Sequence, residues 1–325
     1  MEIALWSGVF IVSLAALIKS ADFFTNSSEK IGLHYKIPPF IIGVTIIALG
    51  TSLPEVATSL IAVLGDNSEI VIGNVTGSNV ANILFILAIT AIVGKNLIVD
   101  KDIISIDLPI LLSSTILLFL TTLDGKFTYI DGIISLLVLI TYIVYNIKSG
   151  RKVDRKELKD QKKLKKEVKK EEQKREKLPL KYPLILILSG IALYFSAKYT
   201  IDSVIKLSEM FNIAKEIIAV SAIAIGTSLP ELAVSVVAAK NGKADIAIGN
   251  VTGSNIFNVL GVMGIPSLFG TLSISAEMLS FTIPALLFIT ILYVFVTMDK
   301  QISQWEGITL LLLYVAFMGK VFNII

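Results

Sequence analysis

The chain has 325 residues, of which 54% are hydrophobic and 17% are charged, and its mean hydropathy is +0.79. Soluble domains carry about 25% charged residues, so this composition excludes an ordinary soluble domain and predicts an integral membrane protein. The absence of cysteine excludes disulfides and thiolate metal sites, and the single histidine excludes a histidine-rich metal site.

Ten apolar segments are long enough to cross a bilayer, which requires about 20 residues each. Five of them precede a basic segment at 148–181 and five follow it. In chain order they span residues 3–28, 38–64, 70–94, 103–123, 127–147, 182–208, 214–239, 246–270, 277–298 and 303–323. We therefore predict two membrane domains, at 1–147 and 182–325, joined by a loop at 148–181.

The joining segment concentrates the positive charge of the chain. Residues 148–181 hold sixteen of the 29 Lys and Arg residues and seven of the 26 Asp and Glu residues, so the remainder is net acidic. The positive-inside rule places this loop in the cytoplasm. Its lysine-rich composition has no EF-hand spacing, so we interpret it as a charged linker near anionic lipid.

The two membrane domains carry the same two motifs. GTSLPE occurs at 50–55 and again at 226–231, while GNVTGSN occurs at 73–79 and again at 249–255, always 176 residues apart. Five spans per copy is an odd number, so the second copy enters the membrane from the opposite side, as in inverted-topology repeats. With the loop inside, alternation predicts a multi-pass cell-membrane protein with both termini extracellular.

A glutamate lies inside the second predicted span, where an uncompensated carboxylate costs several kcal/mol. Thr51 and Ser52 precede Glu55 by four and three residues and share its helix face. Because Pro54 cannot donate a backbone hydrogen bond, the helix should break near residues 48–54 and leave carbonyls available. Hydroxyls, carbonyls and a carboxylate form an all-oxygen set, which hard cations such as Na⁺ and Ca²⁺ prefer.

The second motif adds a polar stripe on the third predicted span. Asn74, Ser78 and Asn82 recur every four residues, and we expect Ser78 and Asn82 to be ligands. Gly73 and Gly77 are expected to allow close helix packing. Inverted symmetry brings the second copy of this set to the same midplane site. The second set is Thr227, Ser228, Glu231, Ser254 and Asn258.

Two simpler interpretations of these polar residues stay open. The first is that each acid is protonated and hydrogen-bonded to a neighbour, or is paired with Lys19 or Lys198. The second is that the amides serve only as hydrogen bonds between helices.

The paired motifs in two five-span halves resemble the cation/calcium exchanger superfamily, specifically its prokaryotic sodium/calcium exchanger branch. The resemblance covers the whole chain and implies an all-α fold of ten transmembrane helices, in two inverted repeats with broken helices at the midplane. It also implies that spans 1 and 6 slide across a core of spans 2–3 and 7–8. The implied ligands are the calcium-binding Glu55 and Glu231; the sodium-binding Thr51, Ser52, Thr227, Ser228, Ser78 and Ser254; the carbonyls of Ala48 and Ala224; and the paired amides Asn82 and Asn258.

Asn258 departs from the family pattern, which often has aspartate at this position. The resemblance implies antiport of Na⁺ against Ca²⁺, and the sequence has no phosphate-binding loop that would indicate an ATP-driven pump. We expect no enzymatic activity, no cofactor beyond the transported ions and no nucleic-acid partner; the oligomeric state is left open. A proton/calcium exchanger is the alternative, and a cation channel fits less well because one pseudo-symmetric acid pair suits alternating access.

Overall fold

The fold is described by a computed structural model that covers residues 2–35, 37–99, 103–160, 178–210 and 226–321. These residues form ten helices. In chain order the helices are α1 (Glu2–His34), α2 (Pro39–Leu64), α3 (Glu69–Gly94), α4 (Ile103–Thr121), α5 (Tyr129–Asp160), α6 (Lys181–Met210), α7 (Leu229–Lys240), α8 (Ala244–Ser267), α9 (Met278–Thr297) and α10 (Gln304–Val321).

Each predicted span overlaps one of these helices, which confirms the predicted all-α membrane fold. Eight of the described helices, all but α7 and α10, are long and apolar enough to cross a membrane. Residues 214–225 of the predicted span 214–239 lie outside the described residues, so α7 covers only the later part of that span. Helix α5 continues to Asp160, so the start of the predicted loop is helical. Residues 161–177 of that loop lie outside the described residues.

The described residues include four two-residue strands, and the pairing of these strands reflects the inverted symmetry of the repeats. Strand β1 (Leu97–Ile98) pairs antiparallel with β4 (Gln301–Ile302), and β2 (Lys126–Phe127) pairs antiparallel with β3 (Leu272–Ser273). The first pair joins the α3–α4 and α9–α10 connections, and the second joins the α4–α5 and α8–α9 connections. If every helix crosses the membrane, the connections within each pair share one side, and the two pairs lie on opposite sides. The strand pairing therefore agrees with alternating crossings.

Helix α8 forms the centre of the bundle. Its most apolar stretch is 100% buried, against 17% for the corresponding stretch of α1. A Cβ atom added at Gly249 of α8 would lie 2.7 Å from the Phe40 carbonyl oxygen of α2, so these helices approach as closely as glycine allows. The close packing that the sequence predicted at Gly73 and Gly77 of α3 is therefore found at Gly249, the repeat mate of Gly73, and the prediction is wrong for the two α3 glycines. A Cβ added at Gly73 would meet only a Met278 methyl at 3.5 Å, and one added at Gly77 would meet no atom within 4 Å.

Helices α1 and α6 pack lengthwise against each other at the edge of this core. The Phe24 ring of α1 lies against Gly50 of α2, where an added Cβ would be 2.6 Å from the ring. Further along α1, Glu29 and Asn26 bind the Lys243 ammonium group at 2.7 Å and 2.6 Å. The C-terminal part of α1 therefore binds the α7–α8 connection, and the part of α1 around Phe24 contacts the interrupted region of α2.

Candidate cation site

The site begins where two helices are interrupted. Helix α2 is interrupted at Ser52, which has φ −88° and ψ 5°, and the residue before α7, Ser228, has nearly the same geometry, with φ −90° and ψ 8°. Pro54 and Pro230 follow these serines within the first turn of the next helical segment, where a missing N–H is tolerated. The predicted break near residues 48–54 is confirmed, and it recurs in the second repeat.

Both glutamates lie in the helical turn that follows a break, and both are enclosed. Glu55 is 1% exposed and Glu231 is 0% exposed. The Ser52 hydroxyl donates a hydrogen bond to Glu231 across the repeats. The alternative of an ion pair with Lys19 or Lys198 is wrong, because both lysines are exposed on the outside of α1 and α6.

Two further contacts between hydroxyl groups join the repeats. Ser78 Oγ of α3 lies 3.2 Å from Thr227 Oγ1, and Thr51 Oγ1 of α2 lies 3.5 Å from Ser254 Oγ of α8. The two pairs are related by the 176-residue offset. The inverted repeats therefore bring their motifs together, as the sequence predicted.

Two asparagines that the sequence analysis did not propose as ligands orient these threonines. Thr227 Oγ1 donates to Asn74 Oδ1 and Thr51 Oγ1 donates to Asn250 Oδ1, both at 3.3 Å. Each asparagine NH₂ group donates to a serine hydroxyl and to the backbone carbonyl of Glu55 or Glu231, and a carbonyl can only accept, so each Oδ1 faces the threonine. The Thr227 proton is thereby directed at Asn74. The single Thr51 proton is shared between Asn250 Oδ1 and the Ala48 carbonyl oxygen, each at 3.3 Å, so the threonine lone pairs remain for a cation. The first Asn of both GNVTGSN copies was the available sequence signal.

Several buried polar atoms have no hydrogen-bond partner within the described part of the chain. They include both carboxylate oxygens of Glu55, Oε2 of Glu231, Oδ1 of Asn82 and of Asn258, and Oγ of Ser228. Buried polar atoms are nearly always hydrogen-bonded, so this concentration of unpaired oxygens needs a physical explanation. Coordination of a hard cation would satisfy these oxygens.

Of the two predicted backbone-carbonyl ligands, Ala48 and Ala224, Ala48 lies within the described residues. The Ala48 carbonyl accepts the Ser52 N–H at 3.1 Å and the Thr51 hydroxyl at 3.3 Å, so the helix already engages it. The carbonyl that loses its helical donor to the proline is that of Gly50. Ala224 lies outside the described residues.

The two asparagines that the sequence predicts as ligands, Asn82 and Asn258, are each the first residue of an unusually wide helical turn. Asn82–Ile86 in α3 and Asn258–Val262 in α8 are π-helical, and such turns are frequent at functional sites. The sequence pattern at these positions does not predict such turns. Within the described residues no cluster of three or more His, Cys, Asp or Glu side chains forms, so the site combines two carboxylates with neutral oxygens.

The fold and its paired motifs define a multi-pass membrane protein of two inverted repeats, and comparison with known proteins gives its family. The family described as sodium/calcium exchanger protein matches residues 5–148 and 181–322. The chain is 34% identical to the sodium/calcium exchanger MaX1 of Methanosarcina acetivorans, over 97% of this chain and 98% of that protein. It is 31% identical to the inner membrane protein YrbG of Escherichia coli, over 94% and 93%.

A solved structure agrees with these relatives. The sodium-calcium exchanger NCX_Mj, soaked with zero Na⁺ and Ca²⁺, superposes with a TM-score of 0.82 at 30% identity, over 98% of this chain and 99% of that one. The chain therefore belongs to the sodium/calcium exchanger family.

Proposed function

We propose that this protein is a secondary active antiporter that exchanges Na⁺ for Ca²⁺ by alternating access at the cation site. The observation that carries the proposal is the pair of buried carboxylates, Glu55 and Glu231, one from each repeat, beside hydroxyl and amide oxygens. Two carboxylates balance the charge of one Ca²⁺. Several Na⁺ ions can use the same oxygens, so the two kinds of ion compete for one site.

The charge of the site supplies the coupling between the two fluxes. An empty site holds two uncompensated negative charges in a medium of low dielectric constant, which is costly. Reorientation without a cation is therefore slow, and a loaded carrier moves more easily. The peripheral α1–α6 pair, whose outer faces are exposed, is the element suited to sliding across the enclosed core.

The orientation and the domain limits belong to the same proposal. We place residues 148–181 in the cytoplasm and both termini outside, with one repeat at 1–147 and the other at 182–325. The lysine content of the loop supports this assignment. The pairing of β1 with β4 and of β2 with β3 supports the alternation on which the assignment depends.

The proposal is tested by reconstituting the purified protein into vesicles and following radioactive calcium uptake. An outward Na⁺ gradient should drive uptake, and replacing internal Na⁺ with choline should abolish it. A third set of vesicles carries a proton gradient and no Na⁺. Calcium uptake in that set would refute Na⁺ exchange and support the proton/calcium alternative. Rapid uptake without any imposed gradient of Na⁺ or H⁺ would instead indicate a channel.

A further inference from the structure

We propose that Asn79 is a positioning residue that fixes which end of the Asn258 amide, the oxygen or the NH₂ group, meets the transported cation. The inference rests on the proposed function, because it takes Asn258 as part of the transport site. Asn79 lies on α3 in the first repeat and Asn258 on α8 in the second, and they are 1% and 0% exposed. Asn258 Nδ2 donates to Asn79 Oδ1 at 3.1 Å. Asn79 Nδ2 donates to the backbone carbonyl of Asn255, also at 3.1 Å.

The backbone carbonyl decides the orientation of both amides. The oxygen and nitrogen ends of an amide have nearly the same shape, so sterics alone do not fix which way an asparagine points. A backbone carbonyl can only accept, so Asn79 must turn its NH₂ group towards Asn255. The Asn79 oxygen then faces Asn258, and Asn258 must present its own NH₂ group there. The Asn258 oxygen is consequently left on the opposite side.

That remaining oxygen is the atom a cation needs. Asn258 Oδ1 is buried and has no hydrogen-bond partner within the described residues. An amide oxygen coordinates Na⁺ or Ca²⁺, whereas an NH₂ group presents only donors and would repel the ion. If the Asn258 amide were rotated by 180°, its NH₂ group would therefore point at the cation in place of its oxygen. Asn79 prevents this rotation without itself being placed among the ligands.

Among the described residues this arrangement occurs once, between the repeats, although both repeats contain the asparagines that could form it. The repeat mate of Asn79 is Asn255, whose Nδ2 donates to the Val251 carbonyl of its own helix at 2.7 Å. The repeat mate of Asn258 is Asn82, whose amide nitrogen and oxygen both lack a hydrogen-bond partner in the described part of the chain. The two site amides are thus inequivalent, with Asn258 held in place and Asn82 free of this constraint.

The symmetry supplies a matched control for the experiment. Asn79→Leu keeps the approximate size of the side chain and removes the acceptor, while Asn255→Leu makes the same change at the mate. Sodium-driven calcium flux is measured in vesicles as half-saturating cation concentration and maximal rate. We expect Asn79→Leu to raise the half-saturating concentrations on the order of tenfold, with a smaller effect on maximal rate. Asn255→Leu retains the backbone carbonyl that orients Asn79, so it should raise the half-saturating concentrations much less than Asn79→Leu does.

Two further variants separate positioning from folding. Asn79→Asp keeps an acceptor towards Asn258, and the O–H of its protonated form can donate to the Asn255 carbonyl in place of the lost NH₂ group, so it should bind cations at least as tightly as wild type even if Asn79→Leu does not fold. In an Asn258→Ala background, Asn79→Leu should cause no additional rise in half-saturation, because there is no amide left to orient. Additive effects, equal shifts at Asn79 and Asn255, or weakened binding in Asn79→Asp would overturn the inference. A wild-type protein without Na⁺-dependent flux would refute the proposed function instead.

Discussion

The Ser52 hydroxyl of the first repeat donates a hydrogen bond to the Glu231 carboxylate of the second, with 3.0 Å between Oγ and Oε1. The equivalent hydroxyl, that of Ser228, has no hydrogen-bond partner in the described part of the chain, and neither carboxylate oxygen of Glu55 has one. The two halves of the site are therefore similar in sequence and different in contacts. A carrier whose inverted repeats exchange conformations requires such a difference, because a fully symmetric site would open equally to both sides.

The Ser52 contact leads to the first prediction. Ser52→Ala leaves one Glu231 oxygen without its donor and removes a hydroxyl from the site. Hydrogen bonds to charged groups contribute about 1.5–3 kcal/mol, so the half-saturating calcium concentration should rise roughly tenfold or more. Calcium-dependent flux in vesicles measures this shift. Ser280→Ala is the control, since Ser280 is exposed and far from any predicted ligand in sequence. An unchanged half-saturation in Ser52→Ala would remove Ser52 from the site.

The second prediction concerns the charge of the site. Glu55→Gln and Glu231→Gln each remove half of the negative charge that balances Ca²⁺, while the amide keeps the size of the side chain. Each variant should fold and should lose exchange activity. The matched control is Glu277→Gln, which neutralises an exposed acid at the start of α9 and should exchange normally. Near-normal calcium uptake in either Glu55→Gln or Glu231→Gln would contradict the assignment of both acids.

The third prediction uses the glycines that are equivalent in sequence. Gly249→Ala places a methyl group 2.7 Å from the Phe40 carbonyl oxygen, and the backbone there cannot easily move aside. Overpacking of this kind costs about 1–3 kcal/mol, so the melting temperature in detergent should fall. Gly73→Ala places its methyl group 3.5 Å from the flexible end of Met278 and should be tolerated. Equal losses in the two variants would contradict the close approach of α8 to α2.

Much of the fold was predictable, because the apolar segments indicate ten spans, and identical motifs at one offset with five spans per copy indicate an inverted arrangement. The broken helices were also predictable, since Pro54 and Pro230 lack the N–H that a continuous helix needs. What the sequence did not reveal is the inequivalence of the two copies. Asn79 and Asn255 have the same sequence context, yet their amides have different partners. Those partners depend on how α3 and α8 pack, which short-range pattern does not encode.

The fourth prediction concerns the basic segment. Replacing residues 161–177 with a polar linker of similar length should leave sodium-driven calcium flux largely unchanged, because no candidate ligand lies there. Helix α5 remains intact to Asp160 in this design. Flux and thermal stability should be measured on the same preparation. A stable, correctly inserted variant without flux would show that the segment takes part in regulation or assembly.

The fifth prediction follows from the amide at position 258. Asparagine has no charge and no titratable proton, so the site contains two carboxylates and no third acid to hold a co-transported K⁺. Sodium-driven calcium transport should therefore be independent of K⁺. Protons compete with cations for the Glu55 and Glu231 oxygens, so acidification should reduce the flux.

The measurement compares wild-type calcium flux in K⁺ with flux in choline under a clamped voltage, since K⁺ also alters the membrane potential. Equal rates are expected, and a strict K⁺ requirement would contradict the two-carboxylate site. Asn258→Asp provides the complementary test, because it adds a carboxyl group where protons can compete. Its flux should depend more steeply on pH than that of wild type, and its response to K⁺ can be read in the same vesicles. Asn255→Asp, one helical turn earlier on α8, is the control for adding an acid outside the predicted ligand set. If both variants changed the pH profile equally, the effect would come from added charge in α8, and Asn258 would have no special place at the site.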